Sequence, residues 1–387
     1  MAVDALKTVV YSVTAGATVL AIIQSLNRMI PGHFRFSYLT GLLVLLIIHA
    51  AGELFMAVGA YRFAPHLAGA QLPIRMLLAP ALYLYTFSLI TPIKSVDLRF
   101  LAIAMLGPLL VVIIMLPFSS ISAADKLALA NPATRDPELF QLAIATCISV
   151  TFLFIAFSAI YLVMAFRLQS QHRVRMMEHY SNLERRSLDW LRTMLVVWGG
   201  AWMCFAIEEA LWIFGWDVAG LSTMLAIVEA CALITFAHLA LNQPSLVGEV
   251  TKAELPAIKS RESNLDPERM ARIAEILKTK MFEDKLYTEN DLSLRRLADA
   301  TGSTENHLSE TFSQHLKTNF FHFVNGYRID QAKRLLSTTD ISIITIAFEV
   351  GFNSRSTFNS AFKKATGVTP SVFRSQVNAQ RVDKINL

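Results

Sequence analysis

The chain has 387 residues, of which 54% are hydrophobic and 17% charged, and its mean hydropathy is +0.45. Its first 243 positions contain 28 charged residues and its last 144 contain 37. Only the last part reaches the charge content of an average soluble domain, about 25%. This excludes a single water-soluble domain and indicates a membrane part followed by a soluble part. The net charge of +5 is modest and points to no partner by itself.

The three cysteines do not indicate a disulfide framework or a zinc site. Cys147, Cys204 and Cys231 all lie in apolar stretches, and none has the short spacing of metal-ligating pairs. We therefore expect no bound metal and no cofactor.

Seven apolar stretches approach or exceed the length of about 20 residues that crosses a bilayer core as a helix. They are Thr8–Leu26, Tyr38–Tyr61, Leu72–Ile90, Phe100–Pro117, Phe140–Phe166, Met194–Phe214 and Ala219–Ala240. Proline, glycine, asparagine or charged residues separate them, as turns require. Residues 1–243 are therefore predicted to form a seven-helix membrane module.

The basic residues in the loops predict how this module is oriented. Loops after the odd-numbered spans carry ten Lys and Arg, whereas the N-terminal tail and the other loops carry four, or five with Arg75. Because basic loops stay on the cytoplasmic side, the N-terminus is predicted outside and the C-terminal part in the cytoplasm.

The loop from Arg167 to Arg192 is long for a connection and contains no glycine or proline. Apolar or aromatic residues recur at helical spacing within it, but over barely two heptads. We interpret it as a cytoplasmic helical extension and favour a solvated charged helix over one that binds a partner.

Several ionisable residues lie inside the predicted spans, where they are costly and therefore informative. The acidic ones are Glu53, Glu208, Glu209 and Glu229. His49 precedes Glu53 by one helical turn and shares its face. Arg75 lies near the outer end of the third span, at a depth suited to pairing with one of the carboxylates.

Aromatic residues accompany these carboxylates. Trp202 and Trp212 fall on one face of the sixth span together with Glu209. In one interpretation the aromatic rings only pack or anchor helices and the carboxylates are neutral or paired. In the other, the residues line an outward-facing pocket for a small cationic or protonatable ligand. The candidate ligand-sensing residues are His49, Glu53, Arg75, Trp202, Glu208, Glu209, Trp212 and Glu229.

A metal-dependent intramembrane hydrolase that uses His49 and Glu53 is disfavoured. The chain contains neither a His-Glu-x-x-His motif nor a second histidine cluster to support it.

The charged part of the chain divides into a linker at 244–265, a domain at 266–378 and a tail at 379–387. The domain contains two helix-turn-helix patterns, about 50 residues apart, joined by a long amphipathic helix over Phe320–Leu336. In the first pattern Gly302 supplies the turn and Thr304 is the predicted N-cap of the second helix.

In both patterns the second helix leaves one face polar. Residues of these types read base edges or neutralise phosphates in a major groove. The candidates are Asn306, Ser309, Glu310 and Ser313 in the first unit and Arg355, Ser356, Asn359, Ser360 and Lys363 in the second. Residues 326–387 carry nine Lys and Arg against four Asp and Glu, which favours the second unit. By spacing alone, packed helical hairpins without a DNA-binding role fit about equally well.

A longer string distinguishes these interpretations. Residues 346–358 read IAFEVGFNSRSTF, and FKK, TP and FR follow at 362–364, 369–370 and 373–374. With matching residues in the first half, this resembles the AraC-type transcription regulators over about 267–377. Most members carry a soluble sensor before this domain. A membrane module in that place resembles a smaller membrane-bound subgroup.

The resemblance implies a fold of seven helices in which the second helix of each unit enters a major groove. By position it assigns base contacts to Asn306, Ser309 and Glu310 and to Arg355, Ser356, Thr357 and Ser360. The chain departs from the family pattern at Glu310, where many members have arginine, and at Lys317, where glycine is usual. We therefore expect the second unit to dominate DNA affinity.

The sequence thus predicts an all-α protein in which a seven-transmembrane helical bundle precedes a cytoplasmic domain of two helix-turn-helix units joined by a long helix. The predicted function is that of a one-component, non-enzymatic transcription factor controlled by a signal in the membrane module. The expected partners are double-stranded promoter DNA, the lipid bilayer and an unknown small ligand, and further candidates are RNA polymerase and a second copy of the chain. The alternatives are a transporter or channel with a regulatory tail, and a membrane scaffold with a degenerate DNA-binding domain.

Overall fold

A computed structural model describes residues 2–29, 35–91, 97–131, 133–184, 186–213, 216, 218, 220–244 and 265–385. Their regular structure is helical, with one isolated antiparallel β-bridge between Tyr180 and Ser293. The all-α prediction is confirmed. The chain divides into two compact units, one formed by Met1–Ser170 with Leu188–Val250 and the other by Gln171–Ser187 with Thr251–Leu387.

Within the described residues, nine α-helices begin in the first compact unit, and most are long and strongly apolar. They are α1 (Ala2–Asn27), α2 (Arg35–Ala57), α3 (Leu72–Arg75), α4 (Leu78–Ile90), α5 (Leu98–Ser119), α6 (Ala123–Leu129), α7 (Pro137–His179), α8 (Asp189–Ile213) and α9 (Leu221–Asn242). Among the described residues, seven helical segments are long and apolar enough to cross a membrane. This agrees with the number of spans predicted from the sequence.

The third span differs from its prediction as one continuous helix. It is built from short helical turns over Pro65–Leu67, then α3 and α4, with Met76 and Leu77 between the last two. Pro80 explains the break, because its ring clashes with the carbonyl four residues earlier and it has no N–H to donate to that carbonyl. Arg75 thereby ends α3 and is 7% exposed.

Helix packing in this unit buries apolar side chains between the helices and leaves further apolar side chains on the outside. Helix α1 contacts α2 and α9, α2 contacts α4, and α8 contacts α9. Leu39, Tyr85 and Phe236 are fully buried among them, whereas Leu101 and Ile113 on α5 are half exposed. An apolar outer face is what a helix facing hydrocarbon requires.

The second unit contains seven helices within 265–385. They are α10 (Pro267–Phe282), α11 (Leu294–Thr301), α12 (Glu305–Glu310), α13 (Phe320–Thr338), α14 (Ile343–Glu349), α15 (Arg355–Thr366) and α16 (Pro370–Ile385). This is the number of helices that the family resemblance implied. The last helix runs on through 379–385, which the sequence pattern had assigned to a tail.

Two apolar cores lie along the long helix α13. The first gathers Leu277, Leu297, Leu308 and other residues around the beginning of α13, which includes Phe320. The second gathers residues of α14, α15 and the later part of α13 around Phe358 and Phe362. Helix α13 therefore joins two helix-turn-helix units that each have a core of their own.

Candidate functional site

The first helix-turn-helix unit consists of α11 and α12. The Ser293 hydroxyl caps α11 by accepting from the Arg296 N–H, and Gly302 turns the chain at φ 64°. The Thr304 hydroxyl caps α12 by accepting from the His307 N–H at 3.2 Å. The predicted roles of Gly302 and Thr304 are confirmed.

The second helix-turn-helix unit consists of α14 and α15, and its helices are capped in the same way. Ser342 caps α14 through the Thr345 N–H at 3.0 Å, and Ser354 caps α15 through the Thr357 N–H at 3.2 Å. A side-chain oxygen satisfies one of the otherwise free N–H groups at each helix start. Both second helices therefore begin at a capped residue, Thr304 in α12 and Ser354 in α15.

Most of the candidate DNA-contacting side chains are accessible. The exposed ones are Asn306, Arg355, Ser356, Ser360 and Lys363, and the half-buried ones are Ser309, Glu310, Thr357 and Asn359. The Thr357 hydroxyl is 2.9 Å from that of Ser354, so it also serves the cap. The Asn359 amide oxygen is buried without a hydrogen-bond partner among the described residues.

Charge differs between the two second helices. Helix α15 carries Lys363 and Lys364 in its last turn, whereas α12 has Glu305 in its first turn and Glu310 at its end. Near α15, burial and then the positive charges of Lys364 and Arg173 lower the pKa of His322. Of the two second helices, α15 is therefore the more basic.

Helix α12 continues into a π-helical turn, Thr311–His315, in which the Leu316 N–H donates to the Thr311 carbonyl at 2.9 Å. Lys317 follows with φ 51°. That left-handed conformation costs a residue with a side chain about 1–2 kcal/mol and costs glycine little. It explains in physical terms why glycine is the usual residue at the position where this chain has lysine.

In the second helix-turn-helix unit, Gly351 allows a close approach between two parts of the DNA-binding domain. Its φ is 93°, and a Cβ built on it would lie 2.5 Å from the Tyr287 carbonyl oxygen. The turn of the second helix-turn-helix therefore rests directly on backbone that precedes the first.

Arg328 of α13 lies at the same junction and is 1% exposed. It donates from Nε to the Tyr287 carbonyl at 2.7 Å and from Nη2 to the Glu289 carbonyl at 2.8 Å. Nη2 also donates to the Ser181 hydroxyl at 3.2 Å, and the guanidinium lies 5.5 Å from the Phe352 ring centroid. Burial lowers the pKa of Arg328 to about 10, so the side chain remains charged at neutral pH. In the sequence Arg328 stands out only as a family match, since a single arginine on an amphipathic helix carries no sign of burial.

Ser181 belongs to a segment that the sequence did not place in this unit, residues 171–187. Helix α7 continues past the predicted end of the fifth span to His179, so the predicted helical extension is confirmed up to that residue. It is wrong beyond it, where the helix has ended and Leu188 has φ 54°. The Ser181 N–H donates to the Leu292 carbonyl at 3.1 Å. The Arg186 guanidinium donates to both carboxylate oxygens of Asp291, at 2.7 and 3.2 Å. The chain beyond the fifth span is therefore not a solvated helix, because part of it packs against the helix-turn-helix domain.

These contacts lie beside the first helix-turn-helix. The Arg186 hydrogen bonds lower the pKa of the Asp291 carboxyl below its usual range. His179 Nδ1 is 3.7 Å from a carboxylate oxygen of Glu305, the first residue of α12. Segment 171–187 thus borders the first unit at its beginning and at its second helix.

A separate cavity of about 180 Å³ lies within the membrane unit. Seven of the eight candidate ligand-sensing residues line it, from α2, α3, α8 and α9: His49, Glu53, Arg75, Trp202, Glu208, Glu209 and Glu229. The side chain of the eighth, Trp212, lies outside the described residues. Lys7 and Tyr11 of α1 also line the cavity, so it belongs to the half of the bundle where α1 begins.

Charged groups in the cavity are partly paired. His49 Nε2 is 3.1 Å from a carboxylate oxygen of Glu229, and its Nδ1 is 3.9 Å from one of Glu53. The Arg75 guanidinium lies 4.3 Å from the ring centroids of both Phe154 and Phe205. Arg75 Nε is buried without a hydrogen-bond partner among the described residues.

Comparison with known proteins addresses the C-terminal domain. Residues 297–376 match the helix-turn-helix domain family. An uncharacterized HTH-type transcriptional regulator of Staphylococcus aureus (strain COL) is 35% identical over 115 residues, which are 30% of this chain and 14% of that protein. The arabinose operon regulatory protein of Salmonella typhimurium is 35% identical over 138 residues, 33% of this chain and 48% of that protein.

Among solved structures, the C-terminal domain of the two-component response regulator YesN from Fusobacterium nucleatum is 27% identical. The match covers 27% of this chain and 98% of that one, with a TM-score of 0.25. This chain spans less than half the length of the two curated relatives. The matches nevertheless establish that its C-terminal part is an AraC-type helix-turn-helix DNA-binding domain.

Proposed function

We propose that the chain is a membrane-anchored transcription regulator that binds promoter DNA through α12 and α15. The observation that carries this proposal is the paired arrangement of the two helices, each capped at its start and each with an open polar face. Arg355, Ser356 and Ser360 lie exposed on α15 in positions suited to base edges, and Lys363 is suited to phosphate. We propose no enzymatic step.

DNA binding is tested on the full chain in lipid nanodiscs, because segment 171–187 belongs to the same unit as the DNA-binding residues. Genome-wide mapping of bound DNA supplies the target fragment. Arg355→Ala should weaken binding to that fragment by about 1–3 kcal/mol and relax specificity at one base pair. The affinity of the unchanged chain should fall steeply as salt rises.

The control is Arg272→Ala on α10, whose side chain is 75% exposed and pairs with Glu268. This variant removes the same charge from an exposed position on α10, a helix that belongs to neither helix-turn-helix unit. Equal losses in both variants, or the lack of any preferred fragment, would favour a scaffold with a degenerate DNA-binding domain.

We further propose that the membrane module controls this activity from the cavity in its helix bundle. Support comes from the way five separate helices bring ionisable residues to one place, at a cost that packing alone does not require. Such control by a ligand requires that the helix bundle adopt two arrangements and that these have different affinities for the ligand. Glu209→Gln should therefore alter reporter output while insertion and abundance are unchanged.

The control for this variant is Glu138→Gln, an exposed carboxylate at the beginning of α7. Reporter output equal to the unchanged chain under every growth condition would assign the cavity residues to packing. Uptake or flux of a solute that depends on Glu209, with no change in transcription, would favour a transporter or channel.

The proposed location is a bacterial inner membrane with the C-terminal domain in the cytoplasm. Arg28 and Arg35 support this orientation, since they donate to the Leu241 and Gln243 carbonyls at the end of α9. A fluorescent protein fused after Leu387 should be bright and alkaline phosphatase fused there inactive. The opposite pair of results would reverse the orientation.

A further inference from the structure

The cavity in the membrane unit contains an unusual charged group. Arg75 is 7% exposed, and its guanidinium lies between the Phe154 and Phe205 rings. The guanidinium forms no ion pair within 4.0 Å and no hydrogen bond with another described residue. Aromatic faces stabilise a cation but do not accept its N–H donors in place of an anion. A buried guanidinium left in this state calls for an acceptor, because buried charges are normally paired.

The carboxylates in the same cavity do not fill that role. Glu229 is engaged by His49, and Glu53 lies at 3.9 Å from the same imidazole. Glu209 lines the cavity without an ion pair to another described residue. The cavity therefore offers a cationic group and an anionic group, neither of which forms a direct ion pair or side-chain hydrogen bond with another described residue.

These two groups select a ligand by charge. A simple anion would bind Arg75 but would also meet the four carboxylates that line the cavity. A simple cation would suit those carboxylates but would leave Arg75 without an acceptor. Only a molecule with both charges satisfies both groups, since opposite charges at short range favour each other and like charges do not.

We propose that this cavity binds a small zwitterion, a free α-amino acid or a betaine, with its carboxylate on Arg75 and its cationic nitrogen towards Glu209. The Trp202 ring, which also lines the cavity, offers the nitrogen a cation–π contact. The volume of about 180 Å³ is close to that of a cavity that holds benzene, about 150 Å³, so the ligand has about ten non-hydrogen atoms or fewer. This inference rests on the proposed control by the membrane module.

The test measures binding to the full chain in nanodiscs without DNA, by calorimetry. The probes are alanine and glycine betaine as zwitterions, propylamine and choline as matched cations, and propionate as the matched anion. At least one zwitterion should bind tenfold or more tightly than its cation and than propionate. Alanine alone would assign an ammonium site, and glycine betaine alone a quaternary-ammonium site.

Variants then assign the two ends of the ligand. Arg75→Gln should weaken zwitterion binding at least tenfold. Arg75→Lys keeps the positive charge at this position and should weaken zwitterion binding less. Glu209→Gln should weaken the zwitterions at least tenfold and leave the residual binding of propionate unchanged or tighter. The control is Arg62→Gln, an exposed basic residue beyond α2, which should bind as the unchanged chain does.

Three results would overturn the proposal. They are no binding by either zwitterion, cation binding as tight as zwitterion binding, and zwitterion binding that survives both Arg75→Gln and Glu209→Gln. Failure of the proposed regulation of transcription by the membrane module would give a different result. In that case the zwitterion binds as expected, but adding it leaves reporter transcription unchanged.

Discussion

The two helix-turn-helix units have the same caps and the same kind of glycine turn, yet their second helices differ. Helix α15 is a regular helix of 12 residues with Arg355 at its beginning and two lysines in its last turn. Helix α12 has six residues, begins and ends with glutamate, and passes into a π-helical turn. The first unit is also the one bordered by segment 171–187. Two units with the same caps and turns can therefore have different roles. We expect the second helix-turn-helix unit to supply most of the affinity for DNA and the first to modulate that affinity.

The largest expected effect comes from removing Arg328, which lies at the junction of the two helix-turn-helix units. Arg328→Met deletes the donors to the Tyr287 and Glu289 carbonyls and leaves both without that partner inside the domain. The Glu289 carbonyl keeps the Leu292 N–H as a donor at 3.2 Å, whereas the Tyr287 carbonyl loses the guanidinium donor. The expected loss of stability is about 2–3 kcal/mol, because an unsatisfied buried acceptor costs about 1–3 kcal/mol. Amide hydrogen exchange in α13 should accelerate about 100-fold.

Arg334→Ala is the matched control for Arg328→Met, because Arg334 is exposed on the same helix. Its exchange should remain within about twofold of the unchanged chain. If α15 stayed protected in Arg328→Met while α12 did not, the two units would be independent and α13 would not couple them.

The second prediction compares the turns. Gly351→Ala places a Cβ against the Tyr287 carbonyl at φ 93°, whereas Gly302→Ala meets no atom within 4 Å at φ 64°. We expect a cost of about 1–2 kcal/mol for Gly302→Ala from the left-handed backbone alone, and at least about 1 kcal/mol more for Gly351→Ala. Denaturant unfolding of the full chain in nanodiscs measures both. Equal costs would mean that the close approach at Gly351 relaxes without penalty.

The third prediction concerns affinity for DNA. Glu310→Arg in the first unit replaces a charge that repels phosphate by one that attracts it. Binding should tighten several-fold, and the slope of log affinity against log salt should steepen by about one. Glu268→Arg on α10, 83% exposed, is the control for added charge alone. A similar gain in that control would show that α12 does not approach the DNA.

The smallest effect is a pH dependence of the contact between segment 171–187 and the first unit. Arg186 lowers the pKa of Asp291, so the pair stabilises the folded state above the usual pKa of a free aspartate, about 3.9. That stabilisation is lost as the pH falls through the lowered pKa. It is less than about 1 kcal/mol, since Asp291 is 61% exposed and exposed pairs contribute little. Asp291→Asn should remove the dependence, as followed by exchange of the Ser181 amide between pH 3 and 6.

Much of the fold was predictable because local chemistry carries it. Hydropathy alone identified seven spans, and Gly302 and Thr304 marked the turn and cap of the first helix-turn-helix. Pro80 could have revealed the break in the third span, but the apolar character of Leu72–Ile90 concealed it. One interpretation of the sequence already placed the ionisable residues around one pocket, and seven of the eight candidates line one cavity. The sequence could not choose between that pocket and packing. Helix packing alone places Arg75 between Phe154 and Phe205.

The contacts of segment 171–187 were beyond prediction for a different reason. Ser181 and Arg328 are 147 positions apart, and neither lies in a pattern that distinguishes it from a surface residue. Such contacts depend on backbone carbonyls at Tyr287, Glu289 and Leu292, and every residue has a carbonyl. A polar network of this kind leaves no periodic trace in a sequence.

That network also determines what proteolysis of the chain can achieve. A protease that cuts within 245–264 separates residues 265–387 covalently from everything before them. Segment 171–187 stays on the other fragment, and the Arg186–Asp291 pair and the Arg328–Ser181 hydrogen bond still join the two pieces. Cleavage of the linker alone therefore nicks the protein without setting its DNA-binding domain free.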